Sequence, residues 1–140
     1  RLWTKKRQAF LSLIYSGDKN LNKFNSKSSG KKGEDLAEEF LLQRGYKIIS
    51  RNYYGGKYGE IDIIAQKENL IVFVEVKSRS NDHFGGGIYS IGNSKKKHLR
   101  KAAEHFLSKN DNYNNKSFTF RFDLIIIQKG EVLQVEDILR

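Results

Sequence analysis

Residues 59–80 read GEIDIIAQKENLIVFVEVKSRS. Two apolar, largely β-branched runs flank the polar residues KEN at 67–69, the pattern of a β-hairpin. Three charges interrupt it: Asp62, Glu75 and Lys77. Side chains alternate faces along a strand, so Ile71, Phe73, Glu75 and Lys77 share one face and Val72, Val74 and Val76 the other. Both faces are apolar through Val74, which predicts a central strand covered on both sides. With the turn centred on Glu68, Asp62 lies six residues before it and Glu75 seven after. The two carboxylates therefore come roughly opposite each other, at the open end of the hairpin.

Carboxylates held that close repel unless a positive charge sits between them. One solution is an ion-pair cluster of Asp62, Glu75 and Lys77. The other is a hard divalent cation, for which carboxylate and carbonyl oxygens are the natural ligands. Buried ion pairs add little to stability, which leans toward a functional use of these charges.

Outward from the hairpin, a helix is expected over about residues 30–44. Leu36, Ala37, Phe40 and Leu41 form its apolar stripe, and Gly45 is a candidate C-terminal cap. Glu34, Asp35, Glu38 and Glu39 are expected near its first turns, where the helix dipole favours acids. A strand follows at YKIISRNYY, residues 46–54. After the hairpin, SNDHFGGGIYSIGN reads as a loop and residues 94–108 as a second helix, with Leu99, Ala102, Ala103 and Phe106 on one face. Two further strands, in SFTFRFDLIIIQ and EVLQVEDIL, complete an α-β-β-β-α-β-β order.

Composition narrows the chemistry. The 140 residues suffice for one domain with a sizeable core. There is no cysteine, which removes disulfides, thiolate metal sites and a cysteine nucleophile. No apolar run approaches the roughly 20 residues needed to span a bilayer. The chain opens on Arg1 and holds no methionine, so it reads as trimmed or excised from something longer.

The net charge of +10 points to an anionic partner, nucleic acid first and a membrane surface second, and the reading adopted is DNA with no membrane partner. It is unevenly spread. Residues 1–33 carry nine basic and one acidic residue, whereas 34–140 carry 17 and 15. Residues 1–29 are thus expected to be a basic segment, with a short amphipathic helix marked by Trp3, Phe10 and Ile14 and a polar linker after it. Residues 30–140 form the domain.

Within the domain, basic charge clusters at Lys95, Lys96, Lys97 and Arg100, which open the second helix. Three cations in a first turn oppose the dipole by about 0.3–1 kcal/mol each. A phosphate partner would offset that. Arg79 could contact phosphate or pair with an acid, and Gly85, Gly86 and Gly87 either let their loop close over a strand of DNA or simply leave it slack. Arg121 and Asp123 are read as a structural pair, and His83, His98 and His105 show no metal-ligand spacing.

Five blocks carry a resemblance: GEDLAEEFLLQRGYKIISRNY, GEIDIIA, VFVEVKSRS, KKKHLRKAAEHFL and RFDLIII, in that order. Together with Asp62 followed 13 residues later by Glu75-Val76-Lys77, they resemble the YraN-like family of bacterial proteins. That family is assigned to the restriction-endonuclease-like, PD-(D/E)XK or Holliday-junction-resolvase-like, superfamily. The resemblance covers about residue 30 to the C-terminus. It implies an α/β fold with a central mixed sheet of about five strands flanked by helices. It also implies a Mg²⁺-dependent nuclease acting on DNA, with Mn²⁺ as a substitute. Asp62, Glu75 and the Val76 carbonyl would be metal ligands, Lys77 would orient the attacking water, and Glu34 would be an additional carboxylate. A cytoplasmic bacterial location goes with it, and cutting two strands symmetrically would call for a homodimer. The other reading keeps the fold without the catalysis, as a nucleic-acid-binding or protein-interaction module.

Overall fold

The computed structural model describes the fold of residues 26–79 and 91–139, with side chains for 32–78 and 91–139. The expected helix near Trp3, Arg79's side chain, His83 and the three loop glycines lie outside those limits. The elements are α1 (Ser26–Gln43), β1 (Lys47–Tyr54), a 3-10 turn (Gly56–Tyr58), β2 (Glu60–Lys67), β3 (Leu70–Arg79), α2 (Asn93–Lys109), β4 (Thr119–Gln128) and β5 (Glu131–Val135). The order is the expected one, and the class is α/β, consistent with a restriction-endonuclease-like fold.

The five strands form one mixed sheet in sequence order. Neighbours are antiparallel except β3 and β4, which run parallel. Parallel neighbours need a crossover, and α2 supplies it. Glu68 has φ 53° in the tight turn between β2 and β3, where Lys67 pairs with Leu70.

The alternation read from residues 70–76 decides the layers. Val72 and Val74 pack with Ala37, Phe40 and Leu41 of α1, together with Ile63, Ile125 and Ile127. Ile71 and Phe73 face the other way, onto Leu99, Ala102, Ala103 and Phe106 of α2. β3 is thus the central strand, covered by one helix on each face. Phe73 anchors the α2 side, stacking on Phe122 at 5.2 Å and meeting Phe106 edge-on at 6.0 Å. A buried Phe of this kind contributes about 3–5 kcal/mol.

The first helix begins at Ser26 rather than near residue 30, so part of the expected linker is helical. Residues 26–32 show no apolar period, which is why the sequence concealed the start. The shift also corrects the role of the acids. Glu34 is the ninth helical residue and the first turn holds no acid, so the helix dipole does not explain Glu34, Asp35 or Glu38. A strand arginine does, as described below.

Gly55 lets the loop after β1 lie directly on α2. A Cβ there would sit 2.8 Å from the Ala102 side chain and 2.9 Å from its backbone. Neither atom can swing aside. Gly55→Ala is therefore expected to destabilise the protein by about 1–3 kcal/mol through overpacking. A thermal melt within 1 °C of the parent would show that the loop docks more loosely than described.

Candidate active site at the sheet end

β2 starts and β3 finishes at the same end of the sheet. Their ladder runs from Lys67 and Leu70 to Ile63 and Val74. Continuing the register by one pair sets Asp62 against Glu75. The ladder is closed there by a side chain: the Val76 N–H donates to Asp62 Oδ2 at 2.8 Å. Asp62 thus replaces a backbone acceptor through Oδ2.

Glu75 lies on the α2 face, with its side chain 12% exposed. Oε1 meets Lys95 Nζ at 3.3 Å. Oε2 is buried and has no hydrogen-bond partner. A buried carboxylate oxygen without a partner costs about 1–3 kcal/mol or more. A fold gains nothing from it unless something else binds there.

The proximity is felt electrostatically. Burial, and then the charge of Glu75, push Asp62 up to about 7 from the usual carboxylate range. Glu34 adds to the rise, and the Val76 amide and Lys95 act against it. Among the described residues Lys95 is the cation paired with Glu75, and its charge opposes the rise at Asp62 only weakly, as the last of the causes.

The sign of the consequence follows by linkage. The folded protein holds the Asp62 proton to about pH 7, while the unfolded chain loses it near pH 4. Stability should therefore fall as pH rises from about 4 to 7, then level off once both states are ionised. At ~1.4 kcal/mol per unit the full effect is at most roughly 4 kcal/mol. Asp62→Asn keeps the acceptor for Val76 and removes the charge. Its melting temperature, measured against the parent across pH 4–8, should gain steadily with pH. A constant difference would refute the electrostatic account.

Lys77 is half-buried, and strand alternation sets it on the α2 face with Glu75. No ion pair joins it to Asp62 or Glu75 among the described residues; the partner of Glu75 is Lys95 on α2. The alternative of an ion-pair cluster of Asp62, Glu75 and Lys77 is therefore not formed among the described residues. Glu34 is held by Arg51 at 3.5 Å. Arg51 also takes Asp35 at 2.7 Å and Glu38 at 2.8 Å. This clamp is the residue that sequence reasoning missed. Its signal was helical spacing: residues 34, 35 and 38 lie on one side of α1 and need a common cation.

The basic cluster divides. Lys95 reaches the site, Lys96 is half-buried and Lys97 is exposed. Arg100 turns away, donating to the Leu139 carbonyl at 2.9 Å. Arg79 pairs with Gln128 through the backbone ladder. Tyr53 is packed against Phe106, and its hydroxyl lies 2.7 Å from His105 Nδ1. Arg121 and Asp123 do pair, at 2.8 Å, on the α1 side of the sheet.

The donors at the sheet end are hard oxygens, the chemistry of Mg²⁺ or Mn²⁺ ligation. Glu75 Oε2, buried and without a hydrogen-bond partner among the described residues, is of the donor type such an ion takes. Two carboxylates fall short of a complete set: among the described residues no three acidic or imidazole side chains are grouped to hold a metal. A backbone carbonyl and water would have to supply the rest.

Residues 33–127 match the family described as "Uncharacterised protein family UPF0102". A UPF0102 protein of Chloroherpeton thalassium is 44% identical over 98 residues, covering 70% of this chain and 73% of that protein. One from Dictyoglomus turgidum is 43% identical over 118 residues, covering 80% and 94%. One from Vibrio parahaemolyticus is 40% identical over 104 residues, covering 74% and 84%. Among the described residues no helix is long and apolar enough to cross a membrane.

Proposed function

The chain belongs to the UPF0102 family, and we propose that it is a Mg²⁺-dependent nuclease hydrolysing DNA phosphodiester bonds. One observation carries the reading. Glu75 has a buried oxygen with no partner, beside a second carboxylate, Asp62, whose ionisation is suppressed. Such an arrangement opposes stability and suits a divalent cation.

Asp62, Glu75 through Oε2 and the Val76 carbonyl would hold the ion. When bound, it supplies neutralisation of the phosphate and a more acidic water. The chain's own residues do the rest. Lys77 orients the attacking water from the face it shares with Glu75. Lys95 to Lys97 supply the positive charge that draws the backbone of the nucleic acid onto the start of α2. The Arg51 clamp holds Glu34 rigidly at the edge of the site, where its charge reaches Asp62.

A second reading is a module that binds nucleic acid without cutting it. The absence of a third grouped carboxylate among the described residues favours it. Incubation with linear, single-stranded and branched DNA, in Mg²⁺, Mn²⁺ or chelator, separates the two. Cutting that requires the metal supports the nuclease. Salt-sensitive binding without cutting, in every metal tested, supports the module and overturns the nuclease.

A further inference from the structure

We propose that Lys95 is a displaceable counter-ion: it occupies Glu75 in the metal-free protein and gives way when a divalent cation binds, freeing its ammonium for the phosphate. This deepens the nuclease reading and rests on it.

The ion pair is lopsided. Glu75 is nearly enclosed, with 12% of its side chain exposed, whereas Lys95 is 44% exposed. The carboxylate cannot leave, but the lysine can swing into water with no backbone movement. Lys95 is also weakly held. It is the third residue of α2, followed directly by Lys96 and Lys97, with no acid in that turn to balance them. The helix dipole and two like charges all push it outward.

The pair is incomplete as well. Lys95 engages only Oε1 and leaves Oε2 without a partner. Among the described residues, Lys95 is the one cation ion-paired with Glu75. A doubly charged ion between the carboxylates would satisfy Oε2 and remove the reason for Lys95 to stay. The lysine would then stand beside the ion rather than on it, where a phosphate bound to the ion would lie within reach. Metal and phosphate binding become coupled: each releases or engages the same side chain, so each raises affinity for the other.

The test is a calorimetric titration of the whole chain with Mn²⁺, without DNA. Removing a competitor should tighten binding, so Lys95→Ala and Lys95→Gln are expected to bind Mn²⁺ about 5–30-fold more tightly than the parent. Lys101→Ala removes one charge from the same helix, where Lys101 pairs with Glu104 at 3.6 Å, and should change affinity less than twofold. The same Lys95 variants should lose the gain in Mn²⁺ affinity that a short DNA duplex gives the parent. Parent and Lys95 variants that bind Mn²⁺ equally well would overturn the counter-ion role and leave the metal site standing. Absence of Mn²⁺ binding in all of them would overturn both.

Discussion

Glu75→Ala is expected to lose metal-dependent DNA cutting by about 10²–10³-fold or more, and yet to melt no lower than the parent. The loss of activity follows from the proposed role of Glu75 as a ligand of the metal. The unchanged or raised stability follows from its surroundings. Glu75 brings one unsatisfied buried oxygen and repulsion with Asp62. Its only ion-pair partner among the described residues, Lys95, is exposed enough to be solvated when left alone. Breaking a fully buried pair would cost several kcal/mol, but this one is buried on one side only. Glu75→Gln keeps the volume and separates charge from packing. Single-turnover cutting and a thermal melt on both variants decide the matter. Full activity in either variant would contradict the assignment of Glu75. A collapsed melt in Glu75→Gln would make it a structural residue.

Asp123→Ala is expected to do the opposite: a loss of about 3–5 kcal/mol of stability, with cutting retained at temperatures where the protein stays folded. Asp123 is fully buried. It accepts from Arg121 Nε and Nη2, both at 2.8 Å, from Gln134 Nε2 at 2.8 Å and from the Asp137 N–H at 3.1 Å. The hydrogen bond to Asp123 holds the Arg121 guanidinium above its ordinary range. Truncation removes the shared acceptor of these donors at once, between β4 and the segment after β5, although Arg121 keeps Tyr46 Oη at 3.1 Å and Glu136 at 3.5 Å. The melting temperature should fall by roughly 10–20 °C. A denaturant melt showing a loss below 1 kcal/mol would mean that the network contributes nothing beyond its own desolvation.

The hairpin and its two faces were legible because a period of two is written directly into residues 70–76, and because the polar stretch after Gln66 permits only a tight return. That same arithmetic sets Asp62 at the open end of the hairpin, where the ladder runs to Ile63 and Val74 and the Val76 N–H donates to Asp62. What escaped the sequence was long-range pairing. Nothing local announces that α2 returns Lys95 to Glu75, so the sequence offers only Lys77, two residues along the same strand, as a cation for an ion-pair alternative. Arg51 was overlooked for the same reason: its three acids lie in the helix before β1. The helical residues before Gly30 are not legible because residues 26–32 carry no apolar repeat.

The central claim is that Asp62 and Glu75 together hold one divalent cation. Mn²⁺ titration at pH 8, followed calorimetrically in the parent and in the Asp62→Asn and Glu75→Gln variants, tests it without any substrate. The account predicts one site per chain, weakened at least about tenfold by either substitution. Equal binding in all three proteins, or none in the parent, would contradict it.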